Sequence, residues 1–158
     1  MPTYYNITEE VLTNMKAAIE AWTDWTEHDC ETPANVTIAE LPQAMEYPHV
    51  SVMAVRSEIT RPSNTVDENA ERYEWACLMP LDPKGSNENY IQLVRLAAEF
   101  RRIVRNNRTW SVATLLGVAA TWVDSWEISP AQIGADSYAQ MLTVTMRVIF
   151  KEDLRRES

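Results

Sequence analysis

Apolar and polar positions along the chain alternate with two different periods. Val11, Leu12, Met15, Ala18, Ile19 and Trp22 recur at helical spacing, which predicts an amphipathic helix with one buried face. Its start is written just upstream: Asn6-Ile7-Thr8-Glu9 places a side-chain acceptor at the N-cap and a carboxylate at N3, with Thr8 as an alternative cap. This helix is expected to fade over residues 25–29. A second helix follows from Tyr90, Leu93, Val94, Ala97, Phe100, Arg101 and Val104, with Leu96 and Ile103 widening its apolar face and Ser86 or Asn87 as its cap.

The strands show a period of two. Val50, Val52 and Ala54, or their alternates Ser51, Met53 and Val55, mark one strand. Apolar residues on both parities imply a strand covered on both faces or lying against a neighbouring subunit. Tyr73, Trp75, Cys77, Met79 and Leu81 mark the next, which the turn residues of 80–85 should stop. Val118, Ala120, Trp122, Asp124, Trp126 and Ile128 share one parity of a third strand, with Ser129-Pro130 as its expected end and 131–137 as a connection. Leu142, Val144, Met146, Val148 and Phe150 define the last. Residues 36–41 suit a short strand among Pro33, Pro42 and Pro48, residues 110–117 a loop or short strand, and residues 151–158 a charged tail that frays. Helices and strands with these faces predict one α+β domain over 1–158: an antiparallel or mixed sheet with two main helices packed on one face.

The stretch 47–81 adds a less ordinary feature. Its two strands flank a polar segment, 56–72, that contains no glycine, whereas a tight two-residue hairpin would normally carry Asn-Gly or Asp-Gly. The connection is therefore expected to be a long, exposed hairpin arm, and Arg56, Ile59, Arg61, Val66 and Arg72 are its candidate contact residues. Of the six tryptophans, Trp22 suits the core, while Trp110 and Trp126 lie beside polar connections and are candidate interface anchors. Arg101, Arg102, Arg105 and Arg108 gather where the second helix ends. Cations there complement the helix macrodipole by about 0.3–1 kcal/mol each. A further role in docking to an acidic patch on a partner places Arg105 and Arg108 among the candidate interface residues.

Composition narrows the class. At 158 residues and 18.1 kDa one domain buries about 70% of the surface its unfolded chain exposes, so no metal or disulfide staple is needed. The formal charge of −9 argues against general binding to nucleic acid or an anionic membrane, which calls for a basic face. No signal-like or bilayer-length apolar run occurs, so the expected setting is the cytosol or a particle assembled there.

No catalytic constellation is legible. His28 and His49 lack ligand-spaced partners and read as surface or strand-edge residues, and Cys30 and Cys77 read as free thiols, one exposed and one buried. Three glycines leave no phosphate loop, dinucleotide fingerprint or Gly-x-Ser-x-Gly. The acidic groups Asp24, Glu27, Asp29, Glu31 and Asp67, Glu68, Glu71 lack the calcium-loop pattern and read as solvated surface, with a charge-guided protein contact as the alternative. No catalytic, metal or cofactor residues are assigned.

The first helix through Trp22, the strand 49–55, the strand start Arg72-Tyr73-Glu74-Trp75-Ala76, the helix containing Leu93-Val94-Arg95-Leu96 and ending in 105–109, and the strand 142–150 together resemble the tail terminator, or tail completion, proteins of long-tailed bacteriophages. The likeness covers most of the chain and rests on element order and character, with no invariant motif. It implies a non-enzymatic virion protein of the tail or neck, assembled in the host cytoplasm. Such proteins form a homo-oligomeric ring, typically a hexamer, that caps the tail tube, stops its growth and offers a surface for joining the head. Its implied partners are the tail tube protein, head–tail connector or neck proteins, and the sheath if the tail contracts, with DNA passing through the lumen without sequence-specific binding. A different neck or head–tail connector protein, or a small α+β ligand-binding domain, are the alternatives.

Overall fold

In the computed structural model, which describes residues 6–39, 46–81, 87–112, 118–132 and 138–153, the predicted cap forms. Asn6 Oδ1 accepts the Glu9 amide at 3.0 Å and α1 runs Ile7–Ala21. Thr8 is not the cap; its hydroxyl is turned to Glu71. Ile7, Val11, Met15 and Ile19 are the buried stripe of α1, repeating every fourth residue as the periodicity required. The helix stops earlier than expected, and a short 3-10 turn, Thr26–His28, follows it. The second helix, α2, runs Glu88–Asn106 and buries Leu93, Leu96, Ala97, Phe100, Ile103 and Val104. Asn87 stands at its N-cap with a left-handed backbone and makes no side-chain capping bond.

Among the described residues, five strands complete an α+β fold: β1 (Asn35–Ile38), β2 (His49–Thr60), β3 (Val66–Pro80), β4 (Val118–Gln132) and β5 (Tyr138–Asp153), in the order β1-β2-β3-β5-β4. Only β1 and β2 are parallel, so the sheet is mixed. Val50 and Val52 on β2, Tyr73, Trp75, Cys77 and Met79 on β3, and Leu142, Val144, Met146, Val148 and Phe150 on β5 point to the helices and join their apolar faces in one core. An aromatic chain crosses it. Phe100 meets Trp25 at 6.4 Å and Trp75 at 5.4 Å, both edge to face, and Trp75 meets Trp110 at 5.8 Å. Each such pair is worth roughly 0.5–1.5 kcal/mol beyond its buried area.

The long hairpin is present, but its outer half is not a free two-stranded arm. Strand structure continues into the polar stretch from both sides, leaving only residues 61–65 as the connection. From Glu68 to Arg72, β3 pairs with β2 on one side and with β5 on the other, and the β5 ladder continues to Val66↔Asp153. The expected tail is thus part of a strand up to Asp153. Polar residues hide this continuation because they occupy core-side positions: Asp67, Asn69 and Glu71 share the parity of Tyr73 and are buried. Asp67 and Glu71 are therefore not solvated surface. Asp67 accepts from Arg61 at 2.8 Å, and Glu71 accepts the Tyr73 hydroxyl at 2.7 Å and the Thr8 hydroxyl at 2.8 Å, tying the base of the hairpin to the start of α1.

Two further expectations change. Strand β4 does not end at Ser129-Pro130 but runs to Gln132; it is an edge strand, where a residue without an N–H can face away from the ladder. The short strand spans Asn35–Ile38, starting one residue earlier than expected and stopping before Ala39. The turn expected over 82–86, with Ser86, lies outside the described residues, as do 40–41, 113–117, 133–137 and the tail 154–158.

Candidate assembly surfaces

The helices cover one face of the sheet, and the register shows what stands on the other. Arg56 on β2 lies opposite Arg72 on β3, Arg72 opposite Arg147 on β5, and Arg147 opposite Trp122 on β4. Three of these are arginines in one row across adjacent strands, an arrangement that repels. The outer two are compensated: Arg56 pairs with Glu58 at 2.7 Å, and Arg147 pairs with Asp124 at 3.0 Å while lying 5.0 Å above the Trp122 ring. Arg72, between them, is exposed and has no ion pair among the described residues. Spacing could not reveal this row, since Arg147 joins Arg56 and Arg72 only through the β3–β5 register.

The other sequence-predicted contact residues fall in separate places. Ile59, Arg61 and Val66 stand at the outer end of the hairpin, where Ile59 is 63% exposed. Arg105 and Arg108 are exposed at the end of α2 and carry no ion pair among the described residues, consistent with a macrodipole role and available for a partner. Trp126 is 41% exposed on β4. Trp110 departs from the expectation: it is 2% exposed, packs on Trp75, and donates its indole N–H to Thr121 Oγ1 at 3.0 Å, so it serves the core. The polar residues around it in sequence disguise a ring that turns inward at positive φ.

A buried carboxylate stands where the sequence shows only an ordinary helical glutamate. Glu99 lies on the inner side of α2, and its side chain is 1% exposed. It accepts the Trp22 indole N–H at 2.9 Å and has His28 Nδ1 at 2.6 Å and the Arg102 guanidinium against the same oxygen, Oε1. Both oxygens are thereby engaged, and the cluster links the end of α1, the 3-10 turn and α2. Arg102 belongs to this link, and His28 is its partner. His49, expected at a surface or edge, is buried, with Thr37 Oγ1 3.1 Å from its Nε2. Among the described residues, no group of three or more His, Cys, Asp or Glu side chains could hold a metal ion. No described helix is long and apolar enough to cross a membrane.

Both thiols are buried, against the expectation of one at the surface. Burial, then the Glu99 charge, pushes the Cys30 thiol up to about 12, and burial pushes Cys77 up as well. We expect neither to react with a thiol reagent in the native protein at pH 8, and both to react once it is unfolded in denaturant; rapid native labelling would contradict the burial. Cys30 holds its proton in the fold up to about 12, against 9.0 for an ordinary thiol. Its contribution to stability is therefore full below pH 9.0 and is lost as the pH rises toward 12.

The architecture is that of a two-layer α+β domain with helices on one side and a polar, arginine-bearing sheet face on the other. No known protein family matches the sequence, and no curated protein does. Among solved structures, a chain of the virion of the native gene transfer agent (GTA) particle aligns with 93% of this chain and 99% of its own length, at 9% identity and a TM-score of 0.56. At that identity the likeness is one of fold. A second solved chain, 14% identical over 86% of this chain and 94% of its own, has a TM-score of 0.41, too low to inform the fold.

Proposed function

We propose that this chain is a structural protein of a tailed, phage-type particle and that it acts as a tail terminator. In this reading copies of the chain form a ring, typically of six, on the end of the tail tube, stop its growth and offer a surface to the head–tail connector or neck proteins. The observation that carries the reading is the end-to-end fold likeness to a chain of the gene transfer agent virion, with 93% of one chain aligned to 99% of the other. The likeness of element order to tail terminators, met first in the sequence, supports the finer assignment. The net charge of −9 suits a lumen through which DNA slides without sticking. The sheath is a further partner if the tail contracts. Arg72 in its cationic row, the hairpin tip around Ile59 and Arg61, and Arg105 and Arg108 are the surfaces we assign to contacts.

Electron microscopy of the purified protein with isolated tail tubes tests this. Rings that cap the tubes and hold them at a defined length are expected. A strictly monomeric protein that leaves tube length unchanged would defeat the proposal, and rings that bind connectors but never tubes would move the chain to another position in the neck.

A further inference from the structure

The sheet has two long strand edges that meet no described strand. On one side, β1 covers β2 only from His49 to Val52, and the Ala39 amide donates to Val52 O; from residue 53 to residue 60 the outer edge of β2 meets none. On the other side, β4 pairs with β5 alone, so its outer edge meets none along Val118–Gln132. Unpaired edges of this length are templates for strand addition, and proteins that must stay monomeric protect them. Here they carry apolar side chains. Of the eight large hydrophobics exposed among the described residues, Val55 and Ile59 lie on the open stretch of β2, and Trp122 and Trp126 lie on β4.

We propose that copies of this chain join edge to edge, β4 of one copy pairing with residues 53–60 of β2 in the next, so that one sheet continues from subunit to subunit. The occupant follows from strand direction. The ladders β2–β3, β3–β5 and β5–β4 are all antiparallel, so β4 runs opposite to β2. Placing β4 of one copy beside β2 of another, with the helices of both on the same side, therefore extends the antiparallel alternation unchanged. The faces agree as well. Ile59 pairs opposite Asn69 and Trp126 opposite Val144, both on the helix side of the sheet, so the join carries both side chains on one continuous face. The two edges differ in length and chemistry, which makes the contact heterologous, the kind that closes into a ring when the rotation allows. The choice of a head-to-tail contact over a two-fold β4–β4 contact rests on the ring reading above.

Two blocked variants test the join. Val55→Lys with Ile59→Lys blocks the β2 edge, and Ser125→Lys with Trp126→Lys blocks the β4 edge; all four residues are exposed. By light scattering after size-exclusion chromatography, the wild type is expected as a closed oligomer and each variant alone as a monomer. An equimolar mixture is expected at twice the subunit mass, because one variant keeps β4 and the other keeps β2. That heterodimer also shows that both variants fold. A β2-edge variant that dimerises alone would overturn the proposal in favour of a two-fold β4 contact, and variants that assemble like the wild type would overturn edge pairing altogether. Rings that cap tail tubes despite both sets of substitutions would sink the edge contact and leave the tail-end reading intact. The expected monomers and heterodimer, from a wild-type oligomer that never caps tubes, would uphold the contact and defeat that reading.

Discussion

Arg102→Met should lower the stability of the subunit by about 3 kcal/mol, which for a chain of this length is a fall of roughly 6–12 °C in Tm. The cause is the carboxylate it leaves behind. Glu99 is 1% exposed, and it faces the Trp22 indole, His28 and Arg102. Removing the guanidinium strands a buried negative charge, which costs about 3–5 kcal/mol when the partner is fully desolvated; Arg102 is 44% exposed, so the low end applies. Glu99→Met should be milder, because Arg102 and His28 can turn to water and the main loss is the Trp22 hydrogen bond, about 1–3 kcal/mol. The double variant should then behave like Glu99→Met. Thermal unfolding of the three proteins checks the order. An Arg102→Met protein as stable as the wild type would show that the pair contributes nothing.

Trp110→Ala should cost about 3–5 kcal/mol, a fall of roughly 6–20 °C in Tm, and should do so in an isolated subunit. The ring is 2% exposed, rests against Trp75 at 5.8 Å, and its indole N–H goes to Thr121, so truncation opens a cavity and strands a hydroxyl. Trp126→Ala is the counterpart. At 41% exposure it should leave the subunit within about 1 kcal/mol of the wild type and weaken assembly instead. Chemical denaturation of both variants at subunit concentrations too low for assembly separates the two roles; equal destabilisation would erase the distinction.

Where one periodicity governs a segment, the sequence was enough. Val11, Met15 and Ile19 repeat with helical spacing, and Leu142 to Phe150 alternate with strand spacing; both segments fold as their patterns require. The outer hairpin escaped because Asp67, Asn69 and Glu71 sit where apolar residues would have announced a strand, and the partners of Asp67 (Arg61) and of Glu71 (Thr8 and Tyr73) come partly from elsewhere in the chain. Distance in sequence also concealed the surfaces. Arg147 stands beside Arg72 only because β5 inserts between β3 and β4, and Glu99 looks like any helical glutamate until α1 brings Trp22 against it. Patterns report each residue's local geometry, whereas long-range register and packing decide which polar groups share a site.

The insertion of β5 beside the outer half of β3 has a mechanical consequence. A two-stranded arm pulled sideways at its tip opens like a zipper, one hydrogen-bonded pair at a time. Here β3 is laddered on both sides from Glu68 to Arg72, and the Thr8–Glu71 bond pins its core-facing side to α1. A load applied along β3 from residues 61–65 is therefore shared in shear by two ladders at once, so the hairpin acts as a stiff strut that carries force into the body of the subunit.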